Sequence, residues 1–517
     1  MLRTNPSALG FAAIRNAGAG LALCRMRAAF QSNTGKQDGT ADAVKLKNVV
    51  ELAENGFRQL PKGAAVMEKR TPSREALFQL RGPVPAGAAV SLALQHLVAM
   101  IVGCVTPAII VAGVAGLNQA DGVLLIQASL VMSAVSTFFQ LYPIGGRFGS
   151  GLPVILGVSF AYVPSMQAIA GDGGGVAAIA GAMLVGGVVA MLVGFGMRHI
   201  RRLFPPVITG TVVFTIGLSL YPTAINYMAG GAGNTAETIA AKGLPETLIY
   251  GSWENWLVAV LTLVAVMLLN HHGRGIGKLA SILLGMLAGY VISIPFHMVD
   301  FSDVADAAWF SLPRLLHFGI KFDPASCIAI GLLFAINSIQ AIGDFTATTI
   351  GGLDREPTDR ELKGGVIAYG ATNILTALFG GLPTATYSQN VGIVSTNKVV
   401  NRTVFAIAGG FLLLAGLCPK FAAVLTTIPQ CVLGGATVTV FSTIAMTGMK
   451  LIASQDLTAR NTTIVGLSAA LGVGISQASA ALSQFPEAVT MIFGKSPVVI
   501  ATIMAVVLNL LLPKDDG

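Results

Sequence analysis

Two short stretches decide the fold: Phe148-Gly149-Ser150-Gly151-Leu152-Pro153 and Phe379-Gly380-Gly381-Leu382-Pro383. Each leads into an apolar run, residues 152–170 and 383–398. Both runs are short of the about 20 apolar residues that a spanning helix needs. Proline lacks an N–H and disfavours helix in the residue before it. Each stretch therefore reads as a break, with a half-helix starting at Pro153 and at Pro383. A half-helix start presents free N–H groups and a positive dipole end. At membrane depth such backbone must face protein or a cavity.

The surrounding chain is of the membrane class. Of 517 residues, 54% are hydrophobic and only 11% charged, with a mean hydropathy of +0.73. A soluble protein of this length needs more charge to cover its surface. The 61 glycines suit membrane helices, where small residues permit close packing. Fourteen candidate spans follow: 88–115, 121–142, 152–170, 175–197, 203–225, 255–270, 278–299, 324–350, 362–380, 383–398, 402–419, 427–449, 461–481 and 496–512. The five cysteines, Cys24, Cys104, Cys327, Cys418 and Cys431, show no metal spacing, and the four in or beside apolar runs read as small packing residues.

Loop charge tests the count. Every second loop is basic: Arg147; Arg198, Arg201 and Arg202; Arg274 and Lys278; Arg355, Arg360 and Lys363; Lys398 and Arg402; Lys450 and Arg460. That alternation places the basic loops and both termini in the cytoplasm of a multi-pass cell-membrane protein. The net charge of +8 thus belongs to loops and does not form the stripe a nucleic-acid partner needs. Residues 1–87 differ from the rest. Arg3, Arg15, Arg25 and Arg27 precede the first acid, Asp38, which resembles a targeting segment. A cytoplasmic tail, or a start at Met67, reads equally from the same residues.

The chain also repeats itself. Besides the two breaks, Pro205 and Gly210 in span five match Pro429 and Gly434 in span twelve with the same spacing. Both matches fall seven spans apart. Seven is odd, so the halves lie in the membrane with opposite orientation, as in many secondary transporters. Such proteins bind substrate where interrupted segments meet. The candidates are Ser159-Phe160 and Tyr387-Ser388-Gln389-Asn390. Span eight adds Asn337, Gln340, Asp344 and Thr348, which share one helix face. Asp344 is the only carboxylate deep in any span, and an intramembrane acid is expensive. It suits a group that takes up and releases a proton, or a structural Asp that holds neighbouring backbone or hydroxyl groups. His96, within span one, is a second polar candidate, or a packing residue. His271 and His272 lack the company of a metal site.

These residues resemble a known family. Gln389-Asn390-Val391-Gly392-Ile393-Val394-Ser395-Thr396-Asn397-Lys398 looks like the signature of the nucleobase–ascorbate transporters, the nucleobase:cation symporters of the second type. Gln340-Ala341-Ile342-Gly343-Asp344 resembles their span-eight E-x-x-G-D. Gln95-His96 is similar to their first-span Q-H, and Leu156-Gly157-Val158-Ser159-Phe160-Ala161 to their third-span region. The resemblance covers about residues 80–512 and implies an all-α fold of 14 segments in a 7+7 inverted repeat. It implies a core from residues 88–200 and 301–420, and a gate from 201–300 and 421–517. It further implies a homodimer that imports a nucleobase by an elevator-like movement, driven by H⁺ or Na⁺ and with no cofactor. Carried over, Gln389 and Gln340 hydrogen-bond the base and Phe160 stacks on it. Backbone N–H groups near Tyr387 and Ser388 complete the site, Asn390 supports it, and Asp344 and His96 serve coupling.

Three residues depart from the pattern: Gln340 for Glu, Tyr369 in span nine where many relatives have Asp, and Asn397 for Thr. A Gln amide donates as well as accepts, and cannot take a proton. Two amides suit a ring edge that alternates N–H and C=O, as in xanthine, urate or uracil, and Gln389 leans towards oxidised purines. The rival readings are a uracil permease, an anion transporter on the same plan, and a channel. A membrane enzyme would need paired carboxylates, a metal cluster or a nucleotide loop, and none is present in the sequence.

Overall fold

The computed structural model describes residues 73–513, apart from 201–204, 242, 487–489, 491–492 and 494–495. The readings made on residues 1–72, Arg201 and Arg202 lie outside these. The fold begins earlier than the predicted boundary at 87. The turn Arg74–Phe78 docks against the loop before span eleven, with Ala76 and Leu77 buried. Leu77 O accepts from the N–H groups of Val400 and Asn401 at 2.9 and 3.1 Å. Asn401 Nδ2 donates to Ala76 O at 2.8 Å.

The first half of the chain gives α1 (Ala86–Val114), α2 (Gln119–Leu141), β1 (Leu156–Val158), α3 (Val163–Ile169), α4 (Gly175–Ile200), α5 (Pro206–Met228), α6 (Trp253–His272) and α7 (Ser281–Ser293). The second gives α8 (Pro324–Leu353), α9 (Asp359–Leu378), β2 (Thr384–Thr386), α10 (Ser388–Asn397), α11 (Arg402–Gly416), α12 (Gln430–Ala453), α13 (Ala459–Gln477) and α14 (Pro497–Leu511). An element falls on each predicted span. Among the described residues, seven helices are long and apolar enough to cross a membrane, or up to eight if one bent pair is a single span.

Local sequence explains the ends. Thr358 and Glu361 form a reciprocal cap at the start of α9, which satisfies two otherwise orphan backbone donors. α5 and α12 both start after an extended proline, Pro205 and Pro429. The prolines predicted to match therefore do the same job.

The inverted repeat is visible in the packing. α5 and α12 lie side by side. Gly210, near the start of α5, faces Ile452 and Gly448 O near the end of α12. Gly434, near the start of α12, faces Ala224 O and Met228 near the end of α5. Each matched glycine thus lets the other repeat's helix end approach closely, an antiparallel and reciprocal arrangement. α5, α6, α7, α12, α13 and α14 pack chiefly on one another, and α1, α2, α4, α8, α9 and α11 do likewise.

Candidate functional site

Both prolines begin an extended run, which corrects the expectation that half-helices start there. β1 and β2 pair antiparallel, with Leu156 opposite Thr386, Gly157 opposite Ala385 and Val158 opposite Thr384. Ser159 N–H bonds Pro383 O and Tyr387 N–H bonds Ile155 O, each at 3.0 Å. The helices start only after this ladder, at Phe160 through a 3-10 turn and at Ser388. The physical reason is that each open backbone finds its partner in the other repeat, which a lone helix start could not supply.

A polar side chain from the preceding span grips each strand. Thr137 of α2 accepts from Leu156 N–H at 3.0 Å and donates to Leu156 O at 3.2 Å. Asn373 of α9 accepts from Thr384 N–H at 2.8 Å and donates to Thr384 O at 3.2 Å. Leu156 and Thr384 each open their strand, so the two grips are repeat-equivalent. Tyr387 then fills the space above β1. Its hydroxyl donates to Val158 O at 2.6 Å, and its ring lies where a Cβ on Gly157 would be.

The extended runs are buried and surface only at the helix starts. From Ser150 to Val163 only Ser159 is not buried. Residues 380–387 are all buried, then Ser388 is half-buried and Gln389 exposed. Helix α10 has no side-chain cap on its first N–H groups. A ladder of this length keeps the two openings roughly 10 Å apart.

Asp344 of α8 lies beneath the second opening. Its carboxylate accepts from Ser388 Oγ at 2.8 Å and from Thr386 Oγ1. Gln340 is half-buried one turn earlier on the same helix. Of the predicted face, Thr348 bonds Asp344 O at 2.8 Å and Asn337 bonds Leu333 O at 3.0 Å. His96 and Asn390 meet separately. Asn390 Nδ2 donates to His96 O, and pairs with His96 Nδ1, both at 3.1 Å. The His96 ring lies 4.4 Å from that of Phe405.

Phe160 lies at the first opening with its ring edge-on to Phe441, centroids 5.2 Å apart. Tyr387 N–H is committed to the ladder, so the free amides expected near it belong to the residues after it. Sequence reasoning missed Thr386, Thr137 and Asn373. It also missed that Tyr369 bonds Tyr162, hydroxyl to hydroxyl at 2.5 Å, both rings fully buried. The departure at Tyr369 was the only signal. Among the described residues no group of three or more His, Cys, Asp or Glu could hold a metal.

Paired broken segments inside an inverted-repeat, multi-pass membrane fold define a transporter. The chain belongs to the Permease family (Xan_ur_permease), which it matches over residues 87–481. It is a permease and not an enzyme. It is 35% identical to the uric acid permease PucK of Bacillus subtilis (strain 168) over 81% of this chain and 94% of that one. It is 30% identical to the xanthine permease XanQ of Escherichia coli (strain K12) over 85% and 94%. Solved membrane transporters share the fold. The transmembrane domain of the cyanobacterial bicarbonate transporter BicA aligns at TM-score 0.51 and 16% identity, covering 82% of this chain and 97% of that one. The murine anion transporter Slc26a9, inward-facing, aligns at 0.52 and 11%, covering 89% and 74%. At such identities the likeness concerns the fold alone.

Proposed function

We propose that this permease imports a nucleobase, an oxidised purine such as xanthine or urate, together with a cation. The observation that carries this reading is the second opening. There the uncapped start of α10 carries exposed Gln389, and its Ser388 bonds Asp344, one turn along α8 from half-buried Gln340. An amide offers a donor and an acceptor side by side, which matches a ring edge that alternates N–H and C=O. Phe160 supplies the apolar face on which the ring stacks. Gln340, one turn from Asp344 on the same helix, offers its amide to the ligand. The relatives named for uric acid and xanthine support the same class. A sulfate or bicarbonate ion would use the helix start but not the two amides.

Asp344 carries the coupling proton in this scheme, because Gln340 stands where relatives have a second acid. His96 holds Asn390, and Asn390 holds α10. The set α1–α4 with α8–α11 forms the core that moves. The set α5–α7 with α12–α14 forms a gate that pairs in a homodimer, and both termini face the cytoplasm. The test is uptake in cells lacking their own purine permeases, with labelled xanthine, urate and uracil and with sulfate as competitor. Saturable, uphill purine uptake unaffected by sulfate is the expected result; sulfate competition without purine uptake would refute it. Gln340→Glu should reorder the competition profile, and an unchanged profile would remove Gln340 from the ligand.

A further inference from the structure

The two helix starts differ in what they touch across the boundary between the two helix sets. α3 and the turn before it reach across to three helices of the other set. Ser165 Oγ lies 2.8 Å from Ser496 Oγ at the head of α14. Thr223 Oγ1 of α5 donates to Gln167 Oε1 at 3.2 Å. Phe160, at the turn before α3, sets its ring against Phe441 of α12. The start of α10 instead bonds within its own set, to Asp344 and His96. Beside it lies open space: Gln389, Gly392 and Thr396 on α10 and Gly343, Ala347 and Ile350 on α8 are exposed. A Cβ added at Gly343 or Gly392 would meet nothing within 4 Å.

We propose that Ser165–Ser496, Gln167–Thr223 and Phe160–Phe441 form a latch that closes the permease on the α3 side and parts when the site opens to that side. The inference rests on the transport reading above. Chemistry suits the role. Each neutral hydrogen bond shifts an equilibrium only about five-fold, so two of them and one aromatic edge bias the closed state without trapping it. No ion pair crosses at this latch among the described residues. The gap beside Ser165 is lined by Ala168, Ile169, Ala325, Ser326 and Ala329, all of α3's own helix set, and by Ser496 across the boundary, so Ser496 is the side chain there from which α3 must part. Loop charge assigns the α10 side, next to Lys398, to the cytoplasm, which makes the latch extracellular.

The test is Ser165→Cys with Ser496→Cys in the full chain, after its five native cysteines are replaced. Hydroxyls at hydrogen-bond distance place the two Cβ atoms within reach of a disulfide. Oxidation in membranes should join the two thiols, read as protection from a maleimide-polyethylene glycol reagent. It should cut purine exchange at least ten-fold, with recovery on reduction. A third cysteine, Gly392→Cys, should keep its reactivity towards an impermeant maleimide in inside-out vesicles. Exchange at full rate in the joined protein overturns the latch. So does failure to join when each single cysteine reacts, or loss of Gly392→Cys reactivity on joining. Where no purine is exchanged even before oxidation, the substrate reading fails, while joining and Gly392→Cys reactivity still decide the latch. As a gentler arm, Ser165→Ala with Ser496→Ala should raise labelling of Ala168→Cys from outside about five-fold; unchanged labelling counts against it.

Discussion

The segment through β1 and α3 and the segment through β2 and α10 share one plan. Each is a buried extended run, a three-residue strand and a helix that starts where the run surfaces. Each is gripped from the preceding span, by Thr137 or by Asn373. Their partners differ. The first is anchored by packing and by neutral bonds across to α5, α12 and α14. The second is anchored to a buried carboxylate, Asp344, and to His96. Repeat symmetry thus supplies the scaffold, and departures from it supply direction: one start is docked, the other open and able to hold a charge.

The sharpest break in the comparison is at the ladder itself. Gly157 faces Ala385, yet only Gly157 lies under the Tyr387 ring and Cys104 Sγ. A methyl on Gly157 must displace one of them inside a packed core, at a cost of about 3 kcal/mol. Gly157→Ala should therefore lose most folded protein from the membrane, measured by gel-filtration recovery, while Ala385→Gly keeps it. Equal recovery of the two would show that the ladder tolerates either residue on either strand.

Asp344→Asn tests the charged anchor. The amide keeps the size and can still accept from Ser388, but cannot take a proton. Uphill accumulation should fall at least ten-fold, about 1.4 kcal/mol, while exchange of labelled for unlabelled purine persists. Exchange separates coupling from folding. Accumulation equal to the unaltered protein would remove Asp344 from coupling.

What the sequence disclosed follows from what kinds of force leave local traces. Pro153, Pro383 and the matched pairs Pro205–Gly210 and Pro429–Gly434 act within a few residues of themselves, so the breaks and the repeat were legible. The lone acid in span eight was legible because its cost is high wherever it lies. The pairing of Leu156 with Thr386 spans more than two hundred residues and rests on backbone groups that every residue carries. No side chain announces it, so helix was expected where strand is found. Thr137, Asn373 and Thr386 were invisible for a related reason: a Thr or Asn in a span usually bonds its own helix. Tyr369 was noticed only as a departure from the family pattern, and its partner Tyr162 was not foreseen.

The two grips should be unequal. Asn373→Ala leaves the Thr384 N–H, carbonyl and hydroxyl without this partner, and Thr137→Val leaves the Leu156 N–H and carbonyl. An unsatisfied buried group costs roughly 1–3 kcal/mol. Asn373→Ala should fall near the upper end and the near-isosteric Thr137→Val near the lower, read as thermal unfolding in detergent. Thr137→Val proving the more damaging would place the stronger grip on the first strand.

The smallest effect concerns the ends of the repeat-equivalent helices α1 and α8. α1 starts after Pro85 with no side-chain cap. α8 starts after Asp323, which accepts from Ser326 N–H at 2.8 Å, and Ser326 lines the gap beside Ser165. The Ser326 hydroxyl, and then its N–H, hold the Asp323 carboxyl below its ordinary value. A carboxyl lowered by folding adds stability above its unfolded pKa of about 3.9, and loses it as pH falls through the folded value. Loss of this helix cap in Asp323→Ala should cost about 1 kcal/mol at neutral pH. The gap from the unaltered protein should stay full above about pH 4 and narrow below it. Thermal unfolding of both proteins from pH 7 down to pH 3 measures that gap. A constant gap would mean that Asp323 supports the α3 side by packing and not as a charged cap.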